Sequence, residues 1–407
     1  MEELLLKSEK EIRPVFDELE EIALFNEEKV LHAFQKAHIA LNHFACSNGY
    51  GYDDLGKNKL SEVFKYIFNA EEAICSPYIT CGTHALNAGL FGCLKSGDSI
   101  LSITGDVYDS LKNAVTGEGN GSLKDYAISF DKIELLQNGK FDYQAIEKYL
   151  SSHTPTMIYL QRSCGYSNRD TFSINELKEA ISFVKNIIPN VIVFVDNCYC
   201  EFVEDKTPIQ VGADITVGSL IKNLGAGICT HGAYVTGKKD LIKLVSERLY
   251  LAGEGKDVGP SIESNRMFLM GLYMSPSVVN SSLKSSILIS KVMDKLNYNV
   301  SPKWNQERCD IVEILYLENE ENLINFATSI QESGPVNSGA LPTPGEMPGY
   351  SDKVIMASPS FTQGSSIEMS CDAPLRKPYA LYIQGGLTYS YAKLALMNAV
   401  SNLKTRE

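Results

Sequence analysis

Short, unbroken apolar runs alternate along the chain with segments that carry apolar residues at helical spacing. Residues 157–161 and 191–195 are two such runs, and both are rich in branched or aromatic side chains. Between them, Ser173 and Glu176 have the spacing of a capping box that begins a helix to Val184. Continuous apolar runs are typical of strands covered on both faces, as in parallel sheets. The pattern predicts an α/β fold with a right-handed strand-helix-strand unit.

The remaining segments predict how the chain divides. Residues 11–36 and 283–295 carry apolar side chains at helical spacing. Glycine-rich turns occur near residues 252–260, and residues 333–350 hold four of the chain's 15 prolines, which is typical of a long connecting loop. We therefore expect three regions: an N-terminal arm with helices at residues 1–70, a large domain at residues 71–260, and a smaller C-terminal domain at residues 261–407.

Composition narrows the class of protein. The 407 residues are 44% hydrophobic and 21% charged, which is enough to bury a large core. The net charge of -13 opposes binding to phosphodiester backbones, so we expect no nucleic-acid partner. No apolar stretch is long enough to cross a bilayer, and residues 1–10 lack the apolar core of a secretory signal. We expect a cytoplasmic protein that does not bind membranes.

The ten cysteines are scattered, without paired CxxC spacing or a histidine-rich metal pattern. In a large chain that is not secreted, they are expected to be reduced thiols, and we predict no metal site. Cys198 and Cys200 flank Tyr199, which admits a redox or metal interpretation. Small buried residues beside a ligand are the simpler interpretation of this pair.

Candidate chemistry lies at the ends of two predicted strands. Asp196 follows the run at residues 191–195, and Lys222 follows a second apolar run beginning at Asp214. Burial disfavours a lysine ammonium and lowers its pKa, which yields an amine that can form a Schiff base. A carboxylate at the neighbouring strand end can keep a pyridine nitrogen protonated. The pair resembles that of the fold type I pyridoxal-phosphate enzymes, although Lys222 alone is also consistent with a lysine that extends to water.

Two further loops carry candidates for cofactor contacts. Gly82 and Thr83 precede a helical run at residues 85–94, and backbone NH groups at a helix start bind phosphate well. Ser219, three residues before Lys222, is a third candidate donor. An ordinary helix cap would also explain the Gly-Thr pair. Tyr108 follows a predicted strand, where its ring lies flat on a cofactor or packs over the sheet edge.

One arginine is a candidate for substrate recognition. Arg376 precedes the apolar run at residues 379–384, and Gly385 and Gly386 follow that run. A planar guanidinium beside a strand and a flexible glycine pair suits a carboxylate ligand, and a surface salt bridge would explain it equally well. The loop at residues 163–169 is expected to border the pocket.

Eight stretches together resemble one family over nearly the whole chain. They are residues 49–56, 82–84, 161–166, 194–202, 218–227, 347–350, 354–357 and 384–389. The chain resembles the bacterial methionine gamma-lyase-like family, also called aluminium-resistance protein or cystathionine beta-lyase-like. The resemblance implies the fold type I pyridoxal-phosphate-dependent transferase fold. Its large domain would hold a mostly parallel seven-stranded sheet, beside a smaller α+β C-terminal domain.

The resemblance also implies a role for each candidate. Catalytic roles fall to Lys222 as the Schiff-base lysine, Asp196 as the pyridinium partner and Tyr108 as the ring-stacking tyrosine. The phosphate ligands would be Gly82, Thr83 and Ser219, joined by Tyr52 from a neighbouring subunit, and Arg376 would bind the substrate carboxylate. The resemblance further implies a homodimer or homotetramer with shared active sites. The sequence departs from the family at Cys164, where Arg is usual, and at residues 224–226, where Pro-Gly-Gly is usual.

The implied reaction is a pyridoxal-phosphate-dependent elimination that breaks a carbon–sulfur bond in an amino acid of the cystathionine, methionine or cysteine type. The sequence leaves beta and gamma elimination open. Transamination, aldol cleavage and gamma-replacement would use the same cofactor residues. A stress-related protein that binds pyridoxal phosphate with little turnover is the alternative outside enzyme chemistry.

Overall fold

A computed structural model of the chain describes residues 2–165, 167, 169–347 and 352–403. Two of the stretches that carry the family resemblance extend beyond these limits. Tyr166 and residues 348–350 lie outside the described residues.

A seven-stranded sheet forms the centre of the larger part of the molecule. Its strands are β1 (Glu72–Ser76), β2 (Ser99–Ser102), β3 (Ser129–Lys132), β4 (Met157–Gln161), β5 (Ile192–Asp196), β6 (Ile215–Ser219) and β7 (Ala233–Gly237). Their spatial order is β1-β7-β6-β5-β4-β2-β3. The strands from β6 to β3 are parallel, whereas β7 runs antiparallel to both of its neighbours. The prediction of a mostly parallel seven-stranded sheet is confirmed.

Helices cover this sheet and connect it to the rest of the chain. They are α1 (Glu2–Lys36), α2 (Leu55–Phe68), α3 (Gly82–Cys93), α4 (Asp109–Thr116), α5 (Tyr143–Leu150), α6 (Ile174–Ile187), α7 (Lys239–Leu249), α8 (Ser264–Lys295), α9 (Glu320–Glu332) and α10 (Tyr389–Ser401). Short 3₁₀ turns occur at Leu41–Phe44, Ile209–Val211, Asn223–Gly225 and Gly255–Asp257. Apolar residues of α3, α4 and α7 pack on one face of the sheet, and those of α5 and α6 pack on the other.

A second sheet of five antiparallel strands lies in the C-terminal part. Its strands are β8 (Asn299–Ser301), β9 (Val312–Tyr316), β10 (Val354–Ala357), β11 (Ser370–Pro374) and β12 (Ala380–Gln384), in the order β10-β11-β12-β9-β8. With α9 and α10 it forms the smaller α+β unit that the resemblance implies. One hydrophobic cluster joins α1, α2 and α8 to this unit, for example through Leu5, Phe64, Ile287 and Leu381.

Helix α8 begins 19 residues before the predicted start at residue 283, at Ser264. Its buried positions include Pro276 and several serines, among them Ser282 and Ser286. Several of these serines donate within the helix, as when Ser286 donates to the carbonyl of Leu283 at 3.0 Å and Ser275 to that of Leu272 at 2.7 Å, whereas Ser282 Oγ has no hydrogen-bond partner among the described residues. The buried face before residue 283 mixes large apolar residues such as Phe268 and Leu272 with serines, a glycine and a proline, so apolar spacing alone located only the last part of the helix.

Two compositional expectations can be compared with the structure. All ten cysteines are free, as predicted. Within the described ranges, no helix combines the length and the apolar character that crossing a membrane requires.

Candidate active site

A cavity of about 680 Å³ opens at the carboxyl ends of β2, β4, β5 and β6. Ligands of open α/β sheets bind at this edge, because the loops that follow parallel strands converge there. The cavity is lined by almost all of the predicted site residues, namely Gly82, Thr83, Tyr108, Asp196, Ser219, Lys222 and Arg376. Tyr52 is absent from its described lining.

Asp196 is the last residue of β5, where it pairs with Gln161 of β4 and Val217 of β6. Its side chain is buried, and Oδ1 accepts a hydrogen bond from the Cys198 NH at 3.1 Å. Burial raises the pKa of this carboxyl, while Lys222 and the Cys198 NH counteract that rise. Asp196 is thus a preorganised buried carboxyl group beside a cation.

Lys222 follows β6 and precedes the 3₁₀ turn at Asn223–Gly225. Its Nζ lies 3.9 Å from the centroid of the Tyr199 ring. Burial disfavours the ammonium, but the surrounding acidic groups Cys198, Tyr199, Asp196 and Tyr108 outweigh this effect and raise the pKa of Lys222 well above 10.5. The expectation of a lowered pKa was wrong, because it counted desolvation and left out the carboxylate and acidic side chains that the fold brings near.

The start of α3 lies beside the end of β6. A Cβ atom on Gly82 would come 3.2 Å from Cys198 Sγ and 3.4 Å from Ser219 Cβ, so Gly82 brings bare backbone against Ser219. In the described part of the chain, the N-cap residue Cys81 makes no side-chain capping bond. Small residues and uncapped NH groups at a helix start form a suitable cradle for a phosphate.

Tyr108 and Thr83 form the opposite wall of this cradle. The Tyr108 hydroxyl donates to Thr83 Oγ1, and the Tyr108 NH donates to Gln161 Oε1 at 3.1 Å. Burial is the main reason that the pKa of Tyr108 lies above its usual range, so the phenol is neutral. Its backbone is therefore fixed to β4, and its hydroxyl to the predicted phosphate loop.

Arg376 and Tyr52 are more exposed to solvent than the other candidates. Arg376 lines the cavity, and its Nη1 also donates to Asp352 Oδ2 at 2.8 Å with the side chain 52% exposed. Both interpretations of Arg376 therefore remain consistent with its position. The Tyr52 hydroxyl donates to Glu254 Oε2 at 2.5 Å, and its ring stacks on Tyr50 at the surface. Within a single chain, Tyr52 does not join the other candidates.

Arg169 lines the cavity but was not singled out from the sequence, whereas Cys164 was noted there only as a departure from the family. Arg169 donates to the carbonyl oxygens of Gln161 and Ser163 at 2.8 and 2.7 Å, and so holds the loop that borders the cavity. Cys164 packs in a small apolar cluster with residues of the C-terminal sheet, which include Val312 and Tyr382. The sequence predicted that the loop borders the pocket. It could not predict the contacts of its side chains with the C-terminal sheet, because residues far apart in the chain leave no local sequence signal.

The cavity meets the requirements of pyridoxal phosphate from its own residues. It offers a lysine amine, a buried carboxyl group on the adjacent strand, a tyrosine ring and an uncapped helix start with small residues. These groups suit an aldehyde, a ring nitrogen, a ring face and a phosphate, respectively.

Comparisons with known proteins agree with this fit. The sequence model of the family described as "Methionine gamma-lyase" matches residues 1–404. The uncharacterised protein YnbB of Bacillus subtilis is 42% identical over 100% of this chain and 98% of its own length. L-methionine gamma-lyase of Porphyromonas gingivalis is 25% identical over 49% of this chain and 45% of its own length.

Solved structures extend the comparison. A candidate cystathionine beta-lyase involved in aluminium resistance from Listeria monocytogenes is 42% identical, with a TM-score of 0.97 over 99% of this chain and 100% of that one. A carbon-sulfur lyase involved in aluminium resistance from Clostridium novyi is 39% identical, with a TM-score of 0.94 over 98% and 94% of the two chains.

The pyridoxal-5'-phosphate-dependent protein YhfS of Escherichia coli shares the fold at 15% identity, with a TM-score of 0.65 over 95% of this chain and 97% of that one. The predicted fold type I architecture is confirmed. The chain belongs to the methionine gamma-lyase family, and its cofactor is pyridoxal 5'-phosphate.

Proposed function

We propose that the protein is a carbon–sulfur lyase that eliminates a thiol from a sulfur-containing amino acid. The observation that carries the proposal is that Lys222 and Asp196 lie at the ends of neighbouring parallel strands and line one cavity with Arg376. The names of the relatives from Listeria monocytogenes, Clostridium novyi and Porphyromonas gingivalis support the same class of reaction.

Different residues of the cavity would bind different parts of the cofactor. When bound, pyridoxal phosphate supplies a conjugated ring that accepts the electron pair left at the substrate α-carbon. Lys222 would bear the cofactor, and Asp196 would hold a proton at the ring nitrogen. Gly82, Thr83 and Ser219 would bind the phosphate, because their backbone and hydroxyl groups meet at the start of α3.

Lys222 also suits the role of general base. Its side chain is half-buried beside Asp196, so a proton taken up at Nζ is stabilised by a nearby carboxylate. A substrate amine that replaces the lysine would free Nζ to remove the α-hydrogen. The Tyr199 ring, 3.9 Å from Nζ, stabilises the resulting ammonium through a cation–π contact.

The outer part of the cavity suits a sulfur-containing amino acid. Arg376 would bind its carboxylate and would exchange the contact with Asp352 for one with the substrate. The apolar cluster of Cys164, Val312 and Tyr382 lines the cavity as well and gives a thioether or thiol side chain a surface of low polarity. Loss of the thiol and hydrolysis of the product would release a keto acid and ammonia.

A substrate screen tests the reaction. The purified, cofactor-loaded protein is incubated with cystathionine, methionine and cysteine in turn, and keto acid, ammonia and free thiol are quantified. The proposal expects all three products in equal amounts from at least one substrate, and none from Lys222→Ala. Lys112→Ala, at an exposed position on α4, is the matched control and retains activity. Amino-group transfer without thiol release would instead identify a transaminase, and no product from any substrate would favour a binding protein.

We also propose that the protein assembles into at least a dimer with shared active sites. Large apolar side chains are exposed around the Tyr52 loop, including Leu41 at 83% and Tyr50 at 71%. Ile262 and Tyr273, near the start of α8, extend the same exposed set. Exposed apolar surface of this kind is typical of a protein interface, and a partner there would cover Tyr52.

A further inference from the structure

A second carboxyl group is buried against strands β6 and β7, on the turn that follows β5. Glu201 lies five residues after Asp196, and only 3% of its surface is exposed. Its Oε1 accepts a hydrogen bond from the Tyr234 hydroxyl at 2.9 Å. Its Oε2 is buried and has no hydrogen-bond partner among the described residues. A half-satisfied buried carboxyl group is costly, which suggests a role beyond packing.

The backbone of β6 is shaped to admit this carboxyl group. A Cβ atom on Gly218 would come 2.2 Å from Glu201 Oε1 and 2.5 Å from the Tyr234 hydroxyl oxygen. The carboxyl group therefore packs directly on the backbone one residue before Ser219 and four residues before Lys222. Any larger residue at position 218 would displace it.

A side chain next to Lys222 holds the Glu201 segment in place. Asn223 Nδ2 donates to the carbonyl oxygens of Tyr199 and Glu201, each at 3.0 Å. Tyr199 in turn lies under Lys222 Nζ. The lysine loop and the Glu201 turn are thus fixed to each other at two points, so the position of the carboxyl group relative to the lysine is set by the fold.

The titratable groups around Glu201 come from several elements. They are Tyr234 of β7, Asp196, Cys198 and Cys200 around the end of β5, and Lys222 after β6, with Lys29 of α1, Glu204 and Lys206 across a cavity of about 10 Å³. Burial raises the pKa of Glu201 to about 7, while the Tyr234 hydroxyl and the Lys222 charge counteract the rise. The charges of Lys222 and of the Glu201 carboxyl group therefore affect each other.

We propose that Glu201 is a positioning residue that, packed on the backbone of Gly218, sets the proton affinity of Lys222. Its carboxylate stabilises the Lys222 ammonium, and loss of the lysine charge favours the neutral acid, because the interior of low polarity disfavours an unbalanced charge. Lys222 consequently holds a proton more firmly than Asp196 alone would allow. This inference rests on the proposed role of Lys222, but the coupling can be measured without cofactor or turnover.

The test measures the reactivity of Lys222 in cofactor-free protein. An amine-acylating reagent modifies only the uncharged amine, so the labelling rate at pH 8, followed by peptide mapping, reports the fraction of free amine at Nζ. Glu201→Gln should speed the labelling of Lys222 by about threefold or more, because loss of an opposite charge in the protein interior lowers the pKa of the ammonium. Glu201→Asp should restore a rate close to that of the unchanged protein.

Two further variants separate this coupling from a general structural effect. Glu134→Gln removes a carboxylate at the exposed rim of the same active-site cavity and should change the labelling rate by less than about twofold, because solvent screens exposed charges. Tyr234→Phe removes the donor to Oε1 while keeping the ring, so Glu201 remains protonated to higher pH and labelling of Lys222 speeds up. It also serves as the test if Glu201→Gln does not fold.

Equal labelling rates for Lys222 in the unchanged protein and in Glu201→Gln or Tyr234→Phe would overturn the inference. A faster rate in Glu201→Asp equal to that in Glu201→Gln would also contradict it, because the negative charge is retained there. The outcome is independent of the lyase proposal: a protein without lyase activity can still show the coupling, and an active lyase can lack it.

Discussion

Lys222 Nζ lies 3.9 Å from the centroid of the Tyr199 ring. Tyr199 belongs to the chain segment that begins at Asp196. The turn from Asp196 to Tyr199 therefore supplies both a carboxyl group and an aromatic face to the same lysine. Tyr199 adopts a positive φ of 73°, a conformation that non-glycine residues rarely adopt, and its ring is carried toward the lysine by this turn. Strain of this kind is concentrated at functional sites.

The first prediction is that Lys222 bears the cofactor. Borohydride reduction of the loaded protein, followed by proteolysis and mass spectrometry, should find the pyridoxyl group on the peptide that contains Lys222. Lys222→Ala should lose the adduct, whereas Lys112→Ala should keep it. An adduct on another lysine would contradict both the site and the lyase proposal.

The strands that carry this site could be predicted because their apolar runs are continuous. Both β4 and β5 lie in the middle of the large sheet and are covered on both faces, so every residue of β4 and all but the first residue of β5 are buried. The capping box was also local: Ser173 Oγ accepts from the Glu176 NH, and Glu176 Oε2 accepts from the Ser173 NH.

What could not be predicted depends on distant parts of the chain. Strand β3 is an edge strand with polar, mostly exposed positions, so it carries no apolar pattern. The direction of the pKa change at Lys222 depends on Asp196, Cys198, Tyr199 and Tyr108, which the fold assembles around Nζ. A sequence pattern reveals that a lysine is in an apolar run, but which titratable groups surround its Nζ is a property of the folded chain.

A second prediction concerns Asp196→Asn. The amide is nearly isosteric and keeps the contact with the Cys198 NH through its oxygen, so the cofactor should stay bound. Without a negative charge, the ring nitrogen loses the group that holds its proton, and turnover should fall by about 10² to 10⁴, the range for loss of an acid or base. Single-turnover kinetics on the loaded variant measure this fall. Near-normal turnover would exclude Asp196 from the assigned role.

The third prediction is a pH dependence of stability that arises from Glu201. Its pKa is raised from 4.5 to about 7 in the folded chain by burial. In the unfolded chain, the group loses its proton near the lower value, so the contribution of Glu201 to stability is present below about pH 4.5 and is lost as the pH rises through about 7. The loss amounts to about 3 kcal/mol.

Denaturant unfolding of the cofactor-free protein at a series of pH values measures this effect. Between pH 4.5 and 7, the free energy of unfolding of Glu201→Gln should rise relative to that of the unchanged protein. The reason is that the amide does not titrate. Parallel pH curves for the two proteins would show that Glu201 has an ordinary pKa in the folded state.

The last prediction is that active sites are shared between subunits. In one chain the Tyr52 hydroxyl contacts Glu254 at the surface and not the predicted phosphate cradle. If Tyr52 served only its own chain, Tyr52→Phe would lose a surface hydrogen bond and leave cofactor retention unchanged. If it reaches a neighbour's phosphate, the variant should bind the cofactor more weakly by about 0.5 to 3 kcal/mol without unfolding, the range for a hydrogen bond to neutral or charged groups.

Mixed assemblies decide between these two arrangements. A subunit with Lys222→Ala and a subunit with Tyr52→Phe are unfolded, mixed and refolded together, and cofactor retention and turnover are measured. With shared sites, a hybrid contains one site that has both Lys222 and Tyr52, so full affinity for the cofactor returns in a fraction of the sites. Mixing Lys222→Ala with Asp196→Asn is the matched control, because these residues line one cavity of a single chain and no hybrid site is complete. No recovery in the mixture of Lys222→Ala with Tyr52→Phe, or a fully active monomer in sedimentation experiments, would rule out shared sites and leave the assignment of Lys222 unaffected.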